Sequence, residues 1–179
     1  MSLLALWKAA VADRSNFLER VFALLEENGI RYCVIGGVGL NAYVEPVFTA
    51  GLDIVVATDQ LEETRRLAER DFEVRDFPCS INVYDPDSKL QVQFQRRPEM
   101  AAYLERAERR EVLGILMPVA SPLDLLRAKS EAALDPGRRP SKRGKDALDL
   151  ARLVTAFPEL ERELPPALHD RVMEMVDRD

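Results

Sequence analysis

Hydrophobic positions along the chain follow two rhythms. Phe17, Leu18, Val21, Phe22, Leu24 and Leu25 recur at helical spacing, and Asn28-Gly29 supplies a stop. Residues from Leu3 to about Asn28 are therefore expected to form one or two helices. The rhythm then changes. Tyr32 to Ile35 is a mostly apolar run ending at Gly36-Gly37, and Leu52 to Val56 is a second run with Asp53 inside it. Continuous apolar runs of this length suit strands covered on both faces. Leu90, Val92 and Phe94 alternate with Gln91, Gln93 and Gln95. With Ser80 to Tyr84 they predict a hairpin around Asp85-Pro86-Asp87-Ser88, which has strong turn chemistry.

The stretches between these elements complete the outline. Thr58 or Asp59 is expected to cap a helix from Leu61 to about Arg70, with Glu62 completing a capping box behind Asp59. Phe72 to Arg75 reads as a short strand, Pro98 to Arg110 as a charged helix, and Val112 to Val119 as a strand. Ser121-Pro122-Leu123-Asp124 has the residue types of a helix start, and that helix continues to about Leu134. Lys145-Asp146-Ala147-Leu148-Asp149-Leu150 opens another, which Phe157-Pro158 ends, and Pro166 to Val176 is a last amphipathic segment. The fold class expected is α/β: a mixed sheet of about five strands flanked by helices, with a helical C-terminal part. Residues 1–120 would form the sheet-bearing core with its N-terminal helices, and residues 121–179 the helical part packed on it.

Composition narrows the functional classes. The chain has 179 residues, 47% of them hydrophobic, and a net charge of −6. It can bury a core, and its charge argues against general affinity for nucleic acid or membranes. No apolar span approaches the ~20 residues that cross a bilayer. The N-terminus lacks the basic opening and apolar stretch of a secretory signal. A cytoplasmic protein with reduced thiols is expected. Its two cysteines, Cys33 and Cys79, are expected to be small buried hydrophobes, and its single histidine, His169, argues against His-rich metal sites and a Ser-His-Asp triad. Trp7 is expected to pack as core or against a partner chain.

The candidate chemistry lies between Ile30 and Val56. Two glycines let a backbone turn sharply, approach a ligand and open a helix with free N–H groups. An aspartate among apolar neighbours is costly unless it meets a cation or several donors. Ile35-Gly36-Gly37, then thirteen residues from Val38 to Ala50, then Gly51-Leu52-Asp53-Ile54 resembles the nucleotidyltransferase superfamily, close to its small bacterial AbiEii-like and minimal members. The block SPLDLLRAKS…RRPSKRGKDALDL is similar to the same branch, in the same order along the chain. The resemblance covers roughly Tyr32 to Leu153.

In that family, three carboxylates on neighbouring strands clamp two Mg²⁺ ions, which activate the attacking oxygen and stabilise the leaving pyrophosphate. Acids two apart on a strand point to one face. Here Asp53 matches the second acid, Gly51 stands in place of the first, and Gln93 (with Gln91 the alternative) stands in place of the third. Val47 is nearest to the basic residue that often precedes the acids, while Thr49 is retained. The resemblance implies nucleotide contacts from Gly36, Gly37, Thr49, Lys129, Arg143 and Lys145, metal at Asp53, an NTP as substrate or ligand, and Mg²⁺ as cofactor. Arg138, Arg139 and Lys142 add positive charge to the same loop.

Three readings follow. In one, the fold persists with an eroded metal site and the protein binds nucleotide or regulates, as in toxin–antitoxin or defence pairs with a partner protein. In another, Glu45 or Asp85 substitutes for the missing ligands and the chain moves an NMP to an RNA, tRNA or protein hydroxyl. In the third, it is a protein-interaction domain without nucleotide affinity. Whether the chain is an enzyme, and its oligomeric state, stay open.

Overall fold

The structure, a computed structural model, describes residues 2–176. Two helices open the chain, α1 (Leu3–Ala10) and α2 (Phe17–Glu27). They are separate because Ala12 and Asn16 take positive φ, and the carboxylate of buried Asp13 accepts from the backbone N–H groups of Phe17 and Leu18 at 2.9 and 3.3 Å. That carboxylate satisfies two of the N–H groups left free at the start of α2. Strand β1 (Tyr32–Ile35), the short helix α3 (Gly36–Leu40) and strand β2 (Gly51–Val56) follow, then α4 (Leu61–Ala68). The predicted capping box does not form at α4. Asp59 instead pairs with Arg31 at 2.8 Å, and a single turn of 3₁₀ helix, Thr58–Gln60, leads in.

Next come β3 (Glu73–Asp76), β4 (Ser80–Tyr84), β5 (Gln91–Gln95), α5 (Tyr103–Arg106), β6 (Glu108–Val112) and β7 (Ile115–Val119). The chain ends with α6 (Pro122–Leu134), α7 (Pro140–Ala156) and α8 (Pro166–Met173). The sheet has seven strands, not about five, in the order β3-β4-β5-β2-β1-β7-β6. The main addition is β6, which makes a β6–β7 hairpin where a single strand from Val112 to Val119 was expected. Its two-residue turn, Leu113-Gly114, has φ of 57° and 81°, the double positive φ of a tight primed turn whose twist matches the strands. The predicted charged helix therefore stops at Arg106, and Glu108 to Glu111 form an exposed edge strand in which only Val112 is buried.

Alternation along the strands sorts side chains onto two faces. Tyr32, Val34, Leu52, Ile54, Val92 and Phe94 join the cluster packed under α1, α2 and α4, where Trp7 is buried. Cys33, Ile35 and Val55 point the other way, into a second cluster with α6, α7 and α8. Asp53 on β2, Gln93 and Gln95 on β5, and Ser80 and Asn82 on β4 share that second face. β2 and β5 run parallel, with Asp53 opposite Gln93 and Gly51 opposite Gln91. Among the described residues, no helix is long and apolar enough to cross a membrane.

Candidate active site

The site begins at the end of β1. Gly36 has φ of +67°, and a Cβ placed on it would lie 2.3 Å from Oδ2 of Asp53. Glycine is needed twice over, for the left-handed backbone and for room beneath the carboxylate. A Cβ on Gly37 would lie 3.0 Å from the Thr49 side chain, so Thr49 covers that glycine. Thr49 is tied in from both sides: its hydroxyl accepts from the Gly51 N–H at 3.4 Å and its carbonyl from the Trp7 indole at 2.9 Å. These contacts fix the Val38–Ala50 excursion that returns the chain to β2.

Beyond Asp53 opens a cleft of about 270 Å³, between the β2/β5 face of the sheet and α6 with the start of α7. Ile35, Met100, Ala128 and Ala132 give it apolar walls, and Ser80, Gln93 and Gln95 give it neutral polar ones. Arg97, Lys129 and Arg138 bring positive charge, and Asp53, Asp135 and Asp146 negative charge. Oδ1 of Asp53 accepts from the Gln95 amide at 3.3 Å. Burial pushes the Asp53 carboxyl above the ordinary carboxylate range; Lys129 and Arg138 pull it down and Asp146 pushes it up, and the net direction is upward.

Lys129 is held away from free solvent. Its ammonium lies 3.0 Å from Asp146 and 2.6 Å from Asp149, and Arg138 takes the other oxygen of Asp146 at 2.6 Å. Burial alone would lower the Lys129 pKa, but Asp149 and Asp146 more than reverse that and leave it raised. The Lys-Asp-x-x-Asp segment of α7 thus clamps α6 to α7 along the cleft wall.

Of the residues picked out in the sequence, Gly36, Asp53, Gln93 and Lys129 line the cleft. Gly37 on α3, Thr49 in the loop before β2 and Gly51 on β2 lie around it without lining it, and Arg143 and Lys145 sit on α7 outside its lining. Gln95 and Arg97 were missed. Gln95 shares a face with Gln93, so alternation alone could have found it. The Ser80↔Gln95 pairing puts Ser80 beside it. Arg97 lies just past the end of β5 and carries no comparable signal.

Cys79, expected to be buried, is exposed and lines the cleft. Cys33 is buried, and desolvation pushes its thiol up to about 12.

The candidate substitute ligands are elsewhere. Asp85 is buried at the far end of the β4–β5 hairpin and pairs with Arg20 at 2.7 Å. Burial would raise its pKa, but the Asp87 N–H, the Ser15 hydroxyl and Arg20 hold it below the usual range. Glu45 is exposed, and its backbone carbonyl accepts from Arg152. Among the described residues, no three His, Cys, Asp or Glu side chains stand together as metal ligands. Mg²⁺ takes near-octahedral oxygen coordination through one or two carboxylates plus waters and phosphates. One carboxylate, with an amide N–H aimed at it, glycine two positions before it and an amide opposite, does not fit a pair of such ions.

No protein-family profile matches the chain, and no curated protein does. Solved structures do. The solution structure of the antibiotic-resistance factor ANT(2'')-Ia matches with a TM-score of 0.62 and 12% identity, over 92% of this chain and 93% of that one. The fold is the nucleotidyltransferase fold. The crystal structure of ANT(2'')-Ia with adenylyl-2''-tobramycin matches with a TM-score of 0.59 and 12% identity, over 89% of this chain and 96% of its own. The lincosamide antibiotic adenylyltransferase LnuA, in its lincomycin-bound structure, matches with a TM-score of 0.53 and 11% identity, over 78% and 97%. At these identities the likeness is one of fold.

Proposed function

We propose that this chain is a nucleotidyltransferase-fold protein that binds a nucleotide in the Asp53 cleft without two-metal nucleotidyl transfer. The observation that carries the reading is the donor set at positions 51, 53 and 93. β2 and β5 pair Asp53 with Gln93, and Gly51 lies two positions before Asp53 on β2; where the resembled family would carry three acids, these positions carry one carboxylate, an amide and glycine. Two-ion catalysis clamps both the attacking and the leaving oxygen. Deleting even one aimed electrostatic group from a preorganised site typically costs about 10²–10³ in rate. Here two of the three are replaced.

Nucleotide binding is supported by the composition of the cleft wall. Apolar side chains (Ile35, Met100, Ala128, Ala132) suit the faces of a base, the Gln93 and Gln95 amides can donate to and accept from its edge, and guanidinium groups at Arg97 and Arg138 suit phosphates. One of the fold neighbours is a lincosamide antibiotic adenylyltransferase and another structure is a complex with adenylyl-2''-tobramycin, which supports a nucleotide as the ligand. In this reading the protein acts by its bound state, on a partner protein of a toxin–antitoxin or defence pair.

The test is equilibrium dialysis of the full chain with labelled ATP and GTP, followed by denaturing gels after incubation with an RNA and protein pool. Retained nucleotide without covalent label supports the reading. Covalent label that disappears in Asp53→Asn establishes an active transferase instead, and no retention of either nucleotide leaves only a protein-interaction domain.

A further inference from the structure

We infer that the cleft holds its nucleotide's phosphates on fixed guanidinium charge, chiefly Arg97 with Arg138, and needs no divalent cation to do so. The inference rests on the nucleotide-binding reading above.

Arg97 follows β5 and precedes the 3₁₀ turn Pro98–Ala102, so it enters the cleft from the strand that carries Gln93 and Gln95. One terminal nitrogen pairs with Glu131 at 2.6 Å, and its Nε is buried without a hydrogen-bond partner. A buried donor left unmade costs about 1–3 kcal/mol. The Glu131 pair is one-third to one-half exposed, and exposed pairs contribute about 0–1 kcal/mol. Arg97 is thus a guanidinium with one orphan N–H and one easily exchanged partner. A phosphate oxygen would replace the second, and would satisfy the first once the side chain turns that N–H toward the cleft. Arg138, on the α6–α7 connection, places a second guanidinium on the same cleft; its Nε and one terminal nitrogen face Asp146 at 2.6 and 3.5 Å, which leaves the other terminal nitrogen for a phosphate oxygen.

The side of the cleft where an ion would sit is built against one. Oδ1 of Asp53 already accepts an amide donor, and Oδ2 is packed over Gly36. Of the other carboxylates facing the cleft, Asp146 is held between Lys129 and Arg138, and one oxygen of Asp135 accepts the Gly137 N–H at 2.8 Å.

The experiment is calorimetric titration of the full chain with ATP and with GTP, in Mg²⁺ and in EDTA. The Kd is expected to agree between the two conditions within about threefold. Arg97→Gln, with its fold checked by circular dichroism, is expected to weaken binding at least about tenfold in both conditions. Arg66→Gln, on the exposed face of α4, is the control expected to leave binding unchanged. Binding that appears only with Mg²⁺ would overturn the inference and leave the nucleotide-binding reading standing. So would undiminished binding in Arg97→Gln. Absence of binding in both conditions would overturn both.

Discussion

Restoring the missing acids should convert the fold's stability into a metal-dependent quantity. The perturbation is the double variant Gly51→Asp, Gln93→Asp. A Cβ at Gly51 meets nothing within 4 Å, so an aspartate there is accommodated. Positions 51 and 53 share a face of β2, and Gln93 is the direct partner of Asp53 on β5. Neighbouring strands lie ~4.8 Å apart and residues two apart on a strand ~6.7 Å, so the three carboxylates would stand roughly 5–8 Å from one another. At ~6 Å and an effective dielectric of ~20, each like-charge pair costs about 3 kcal/mol. Proton uptake and water reduce the gross total of three pairs to a few kcal/mol. For a chain of this size ~1 kcal/mol shifts the Tm by ~2–4 °C, so the variant should melt roughly 5–15 °C below the native chain in EDTA. A cation at 100-fold its Kd returns about 2.7 kcal/mol. Thermal melts in EDTA and in Mn²⁺ or Mg²⁺ read this directly: a large rise with metal for the variant, none for the native chain. A variant that melts identically in both, or a native chain that shares the metal-dependent rise, would show that positions 51 and 93 do not decide metal binding.

Other substitutions probe the same architecture. Because the pKa of Asp53 is raised by burial, its charged form costs stability once the pH exceeds the ordinary carboxylate value near 4. Asp53→Asn should therefore melt higher than the native chain at pH 7, and the two should converge as the pH falls below about 4; an equal or lower melt at pH 7 contradicts this. Lys129→Met leaves Asp146 and Asp149 buried with fewer partners and should cost about 3–5 kcal/mol in urea unfolding, whereas a cost under about 1 kcal/mol would mean the clamp is not structural. Gly36→Ala places a methyl where Oδ2 of Asp53 lies and forces alanine into a left-handed backbone, which alone costs about 1–2 kcal/mol. It should lower both stability and ATP affinity, and unchanged affinity would show that the Gly36–Asp53 contact does not shape the cleft.

What the sequence made legible was the part built from periodicity and local chemistry. The β1 and β2 runs, the glycine pair with Asp53 at its distance, and the alternating glutamines of β5 all follow from short-range rules. The meeting of Asp53 with Gln93 then follows from strand pairing. The β6–β7 hairpin was hidden because its turn uses leucine at a positive φ, where asparagine or glycine would have announced it. The strand before it is an exposed edge, so Glu108 to Glu111 carry no apolar alternation. Lys129 could be seen as a cation near the cleft, but not as one committed to Asp146 and Asp149. Those residues sit in the next helix, and only tertiary packing brings them together. Asp59 had the spacing of a capping box yet was taken by Arg31, a contact across sequence that local rules do not weigh. Arg97 was invisible for the same reason.

The central question is whether one carboxylate suffices for transfer. The decisive measurement is incorporation of label from nucleoside triphosphates into RNA or protein by the native chain in Mg²⁺ and in Mn²⁺, beside Asp53→Asn. Incorporation no greater than that of a buffer control is expected for both proteins. Turnover by the native chain that Asp53→Asn abolishes would contradict it.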